Sequence, residues 1–369
     1  SRERRAAWLW SLPVAKETAG LTLSGHSGAL TAVSFNADGT RVLTAGVDGT
    51  ARLWDARTGQ QLHVLSGHQG PVSTAVFAPD GRSVLTGGED GTLRGYDASS
   101  GALRFSEDPK QGRIAAVAIS RAGGHIAVAG DRGVAIREVA GSPWSVASTS
   151  ASRSAVGSAR FPAIEFDASG RLTLVKFEQG AGSDLLSCSF SAPSEPNPIW
   201  CQSNRDRMDI EDIKWATMSP DGSLLLIIGS DAKVFREFVP VSTLAGLEGG
   251  LRAAFSPDGG RILTVDAQGS ARIWDTESGK LLSVYPAQAG LVRAAGWGPD
   301  GQRVAMALQN GTARIWDLPM LEEADLERLA ALVTCTTPKP ILLEIPELRS
   351  ESTSERIDQR LHGFRCEPL

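Results

Sequence analysis

Thr50-Ala-Arg-Leu-Trp-Asp55, Ser270-Ala-Arg-Ile-Trp-Asp275 and Thr312-Ala-Arg-Ile-Trp-Asp317 are near copies of one hexapeptide. Thr92-Leu-Arg-Gly-Tyr-Asp97 keeps the pattern with Tyr for Trp, while Val134-Ala-Ile-Arg-Glu138 and Val234-Phe-Arg-Glu237 keep only the acidic end. Asp97 stands 42 residues after Asp55, Glu138 41 after Asp97, Asp275 38 after Glu237 and Asp317 42 after Asp275. Such a period marks a chain of repeated supersecondary units that share one core. The 99 residues from Glu138 to Glu237 leave room for one further, degenerate repeat, which makes seven.

Each unit reads as a meander of strands. Val33-Ser-Phe-Asn-Ala-Asp-Gly39, Val76-Phe-Ala-Pro-Asp-Gly81, Met218-Ser-Pro-Asp-Gly222, Ala254-Phe-Ser-Pro-Asp-Gly259 and Trp297-Gly-Pro-Asp-Gly301 join an alternating strand to a turn. Pro fixes φ, Asp bonds its own backbone and Gly accepts positive φ, so the chain reverses there. A second strand follows at once (Val42-Leu-Thr44, Val84-Leu-Thr86, Ile262-Leu-Thr264), then an Asp-Gly hairpin such as Val47-Asp-Gly49 or Glu89-Asp-Gly91. A short outer strand comes after the hexapeptide, as in Gln61–Leu65 and Lys280–Val284. The last repeat lacks one, and Leu21–Ser24 is predicted to supply it and close a ring without sheet edges. The degenerate repeat is expected to place strands near Ala163–Phe166, Leu172–Phe177, Leu185–Phe190 and Ile199–Gln202.

Gly25-His26, Gly67-His68, the Pro-Asp-Gly turns and Trp-Asp at 54–55, 274–275 and 316–317 give residues 20 to 317 a resemblance to the WD-repeat family. The resemblance implies an all-β, seven-bladed β-propeller over residues 20–318, preceded by a linker (1–19) and followed by a short helical and extended tail (319–369). It also implies a buried hydrogen-bonded tetrad of His26, Thr44, Asp48 and Trp54, repeated in the second unit by His68, Thr86 and Asp90 with Tyr96 for Trp. Those histidines are therefore read as structural. Units three to seven lack the His, and Gln268 and Asn310 stand where the hairpin Asp of units six and seven would be, so apolar packing is expected to carry them. Arg52, Arg94, Arg272 and Arg314 recur two residues before the aromatic and read as scaffold. Leu321–Val333 has the apolar spacing of an amphipathic helix.

The formal net charge of −5, with basic and acidic residues interspersed, argues against nucleic acid as a partner. No apolar run approaches the roughly 20 residues of a membrane-spanning helix, and no signal peptide is recognisable, so a cytoplasmic location is expected. Cys188, Cys201, Cys335 and Cys366 form no CxxC pair and imply neither zinc nor a disulfide framework. Walker, HExxH, GxSxG and EF-hand patterns are absent, so no catalytic residue, metal or cofactor is assigned. Asn310-Gly-Thr312 fits a glycosylation pattern but falls in a tight hairpin.

The function expected is recognition of a protein partner, or regulation of an attached effector module, through the loop face. The residues predicted there are Ser27, Val47, Gln69, Glu89, Gln111, Arg132, Asp231, Gln268 and Gln309. The composition, the tail and the abrupt start at Ser1 resemble the C-terminal propeller region of bacterial multidomain signalling and sensor proteins, which implies a cut from a longer polypeptide. Two other readings stand beside it: a hydrolytic or ligand-binding propeller with a site in the central channel, and a rigid spacer.

Overall fold

The computed structural model describes residues 20–139, 144–146, 160–166, 172–178, 182–190, 199–203, 215–229, 231–237, 239–247, 252–266, 270–285 and 291–318. The linker 1–19, Gln268, the Leu321–Val333 helix and the rest of the 319–369 tail expected from the sequence lie outside them. Strand β1 is Leu21–Ser24. Sheet one comprises β2 (Leu30–Phe35), β3 (Arg41–Gly46), β4 (Ala51–Asp55) and β5 (Gln61–Leu65), and sheet two β6 (Val72–Phe77), β7 (Ser83–Gly88), β8 (Leu93–Asp97) and β9 (Leu103–Glu107). Sheet three holds β10 (Ile114–Ile119), β11 (His125–Gly130), β12 (Gly133–Glu138) and β13 (Ser145–Val146). Sheet four holds β14 (Arg160–Phe166), β15 (Leu172–Glu178), β16 (Gly182–Phe190) and β17 (Ile199–Ser203). Sheet five is β18 (Trp215–Met218), β19 (Leu224–Ile228), β20 (Ala232–Arg236) and β21 (Val239–Thr243). Sheet six is β22 (Arg252–Phe255), β23 (Arg261–Val265), β24 (Ala271–Asp275) and β25 (Leu281–Tyr285). The last sheet orders β26 (Val292–Trp297), β27 (Arg303–Leu308) and β28 (Thr312–Asp317) with β1 on its outer side.

All strand pairs are antiparallel, and β1 pairs with β28 from Leu21 opposite Ile315 to Ser24 opposite Thr312. The first strands of successive sheets pack on one another from β2 through β6, β10, β14, β18 and β22 to β26, and β26 packs on β2. This radial ring of sheets is a β-propeller, and among the described residues it contains no helix. Side chains are described through the three inner strands of six sheets; sheet four is defined mainly by its backbone pairing.

In the second strand of each sheet whose side chains are described, both faces are buried, so period-two alternation selects a neighbour rather than choosing core over solvent. Val42 lies with Ala305 and Ile315 of the last sheet, whereas Leu43 lies with Val72 and Val84 of sheet two. Leu85 and Leu93 in turn meet Ile114 and Val128, and Ile136 meets Ile164 and Leu172. A recurrent arginine ties turn to turn: Arg41 donates to Ala98 O at 2.5 Å, Arg261 to Gly301 O at 2.8 Å and Arg303 to Gly39 O at 3.0 Å. The last of these joins the final sheet to the first. The contacts divide the chain after Asp317; the second unit, Leu318–Leu369, is described only at Leu318.

Candidate functional site

The loop face is built over the hairpins joining the second and third strands. In sheet one the indole N–H of Trp54 donates to Thr44 Oγ1 (2.8 Å), Thr44 Oγ1 meets His26 Nε2 (2.9 Å), and His26 Nδ1 meets Asp48 Oδ2 (2.9 Å). Because the indole can only donate, the order that satisfies every group runs from Trp54 through the Thr44 hydroxyl to Nε2, leaving Nδ1–H for Asp48. Burial pushes the His26 imidazole below its ordinary value, Asp48 works against that shift, and Arg52 adds to it. Burial pulls Asp48 upward, but hydrogen bonds from His26, Thr50 and the Ser27 N–H outweigh it, and the carboxyl titrates below the usual range.

Sheet two repeats the arrangement without the indole. His68 bridges Thr86 (2.8 Å) and Asp90 (3.0 Å), while Tyr96 turns its hydroxyl to Ser66 O (3.0 Å). Arg94 donates to Asp90 at 2.8 Å, and Arg52 approaches Asp48 at 3.8 Å. The recurrent arginine thus closes over the hairpin acid.

Asp48 and Asp90 also reach outward. Asp48 accepts the backbone N–H of Ser27 (3.1 Å) and Asp90 that of Gln69 (2.9 Å), so a buried network holds the backbone of exposed loop residues. Val47 N donates to Ala29 O and Glu89 N to Pro71 O, both at 2.9 Å, which fixes the two loops of each sheet against each other.

Of the predicted face residues, Ser27, Val47, Gln69, Glu89, Arg132, Asp231 and Gln309 are exposed. Gln111 is a correction, for it is 2% exposed. Lys110 occupies the register of His68 but adopts φ 63° and carries its side chain into solvent, where it pairs with Asp108 (2.6 Å). Gln111 turns inward instead, its Nε2 donating to Pro109 O (3.2 Å) and its Oε1 buried without a partner. Leu291, not singled out in the sequence, is an apolar residue 42% exposed just before β26, and its carbonyl accepts from Gln309 N (2.9 Å). Its sequence signal was an apolar residue at a loop position.

Sheet six also departs from expectation. Trp274 still donates to Thr264 Oγ1 (2.8 Å), and a buried acid is present, but it is Asp266, two positions before the expected site. Asp266 pairs with Arg272 (3.3 Å) and accepts Ser270 N (2.8 Å). Its counterpart in sheet one is Gly46, where a Cβ would lie 2.8 Å from His26 Nδ1; in sheet two a Cβ on Gly88 would lie 2.3 Å from His68 Nδ1. The imidazole therefore demands glycine there, and sheet six uses the room for its acid. In the last sheet Asn310 Oδ1 accepts from Thr312 N (3.1 Å) and its hydroxyl (2.7 Å), which closes the hairpin.

A carboxylate not singled out in the sequence crosses between sheets four and five. Glu165 accepts from Thr217 Oγ1 (2.9 Å) and Met218 N (3.0 Å), and burial pushes it above the usual carboxylate range. The equivalent positions elsewhere, Ser34, Val76, Ala118, Thr217, Ala254 and Gly296, carry no charge. Among the described residues no group of three or more His, Cys, Asp and Glu is placed to hold a metal.

Residues 18–55, 59–97, 238–275 and 279–317 match the family described as WD domain, G-beta repeat. The chain is 50% identical over 42 residues to eukaryotic translation initiation factor 3 subunit I of Phaeosphaeria nodorum, covering 11% of this chain and 13% of that protein. It is 45% identical over 56 residues to guanine nucleotide-binding protein subunit beta of Oryza sativa subspecies indica and japonica, covering 15% of this chain and 14% of theirs. The chain thus aligns with only a small part of each relative. These relatives are eukaryotic and lend no support to the expected bacterial signalling context.

Proposed function

We propose that the chain is a seven-bladed WD-repeat propeller that acts as a non-catalytic recognition module, binding a protein partner through its loop face. The observation that carries this reading is the coupling of Asp48 to Ser27 N and Asp90 to Gln69 N. It presents exposed residues of mixed chemistry on a backbone held from below. Ordering cost is then met in folding rather than in binding, which favours affinity per contact. On this reading Ser27, Val47, Gln69, Glu89, Arg132, Asp231 and Gln309 share the face with Leu291. Val47, 44% exposed, and Leu291 supply apolar area on sheet one and the last sheet, and Glu89 and Arg132 supply opposite charges on sheets two and three. Gln111 is removed from the face because it is buried. The same face would serve a cytoplasmic effector module carried on the same polypeptide.

The test combines Val47→Asp, Glu89→Arg and Gln309→Arg in the otherwise unchanged protein, with Arg57→Glu, in the turn between β4 and β5, as the control. Co-purification followed by mass spectrometry should show a protein retained by the control and lost from the triple variant. Equal retention by both, at equal melting temperature, would remove the loop face as the binding surface.

A further inference from the structure

Cys188 and Cys201 are separated by 12 residues and belong to no recognisable sequence motif. The fold brings them together. Strands β16 and β17 run antiparallel with Leu186 opposite Ser203, Cys188 opposite Cys201 and Phe190 opposite Ile199. Directly opposed residues of an antiparallel pair have Cα atoms about 4.5 or 5.5 Å apart, according to whether they exchange hydrogen bonds. A disulfide spans Cα separations of about 4.4–6.8 Å, so either kind of pair lies in range. Residues opposed across such a ladder also share one face of the sheet. Strand β17 is the outermost of its sheet, held in the ladder through β16 alone.

We propose that Cys188 and Cys201 are a redox site, forming a reversible disulfide that staples the outermost strand of sheet four to its neighbour. Oxidised glutathione is a sufficient oxidant. One cysteine thiolate attacks it, forms a mixed disulfide and releases one glutathione thiolate. The second cysteine thiolate then attacks the protein sulfur of that mixed disulfide and releases the other. The protein loses two protons and two electrons, which leave as two molecules of reduced glutathione. No backbone movement is needed, because the register already opposes the two positions.

The experiment oxidises the reduced full chain with oxidised glutathione, in native buffer and in urea, blocks remaining thiols, and maps the non-reduced digest by mass spectrometry. The expected product in native buffer is one peptide joining Cys188 to Cys201, two hydrogens lighter than the reduced pair. It should form about tenfold faster than in urea, where partners mix with Cys335 and Cys366, because the register raises the effective concentration of one thiol at the other. Cys188→Ser should leave Cys201 carrying a single glutathione. Cys335→Ser with Cys366→Ser should leave the cross-link intact and keeps the test valid if the first variant does not fold. Single glutathione adducts on both Cys188 and Cys201 in the native chain, or the same mixture of partners in native buffer as in urea, would overturn the proposal.

Discussion

Sheets one and six share the Trp-to-Thr hydrogen bond at the same 2.8 Å, yet what lies beyond the threonine differs. In sheet one the hydroxyl hands on to His26 and Asp48, and through Asp48 to the Ser27 backbone. In sheet six the acid sits at Asp266, answers to Arg272 and the Ser270 N–H, and Arg272 donates in addition to Gly246 O (2.9 Å). The two sheets solve the same problem, satisfying a buried hairpin, with one imidazole or one displaced carboxylate. The position that separates them is the one at the end of the second strand: Gly46 leaves room for the His26 ring, and sheet six carries its acid, Asp266, there instead.

The largest effect that would test this contrast is Thr44→Val against Thr264→Val. Thr44 satisfies both Trp54 and His26, so its loss strands two buried groups and should cost about 2–4 kcal/mol, whereas Thr264→Val strands one and should cost about 1–2 kcal/mol. Equal shifts in the urea midpoint would show that the histidine adds nothing to the hydroxyl. Gly46→Ala comes next. A Cβ 2.8 Å from His26 Nδ1 must displace the ring, and a loss of about 1–3 kcal/mol is expected, with faster amide exchange at Ser27. Unchanged exchange would break the link between position 46 and the imidazole.

A pH dependence follows from the same contrast. His26 and His68 titrate below their ordinary 6.5 because burial disfavours the cation. The unfolded chain binds those protons near 6.5 and the folded one does not, so the stability they confer is complete above 6.5 and declines as pH falls below it. The depressed carboxyls Asp48 and Asp90 add a further loss only at much lower pH, as it falls through their folded values. The urea midpoint should fall between pH 7 and pH 5, and His26→Gln with His68→Gln should flatten that fall. The smallest effect expected is at Arg314, whose buried Nε has no partner. Arg314→Met should change stability by less than about 0.5 kcal/mol, against a measurable loss for Arg272→Met.

Much of this was legible because it is local. The Pro-Asp-Gly turns, the Asp-Gly hairpins and the alternating strands need only neighbours in sequence, and the four strands of sheet four fall within a few residues of where one more repeat of the same kind would set them. His26, Thr44, Asp48 and Trp54 were also readable, since resemblance supplies the partners that spacing does not. Gln111 was misplaced on the exposed face for the converse reason. Its burial goes with Lys110 taking φ 63° and turning into solvent while Gln111 packs beside Gly130, an outcome of packing that no window of sequence contains.

The sequence by itself determined the period, the strand count per repeat, the turn chemistry and the N-terminal strand that completes the last sheet. The turns and the strand count follow from backbone preferences and apolar alternation among near neighbours, the period from the recurrence of one hexapeptide, and the N-terminal strand from the missing outer strand of the last repeat. Only the tertiary structure decided that Asp266 supplies the acid of the sheet-six hairpin, that Glu165 crosses to Thr217 and Met218, and that Cys188 lies opposite Cys201 in the ladder. Those outcomes turn on volumes and registers between strands, and such distances exist only once the sheets have packed.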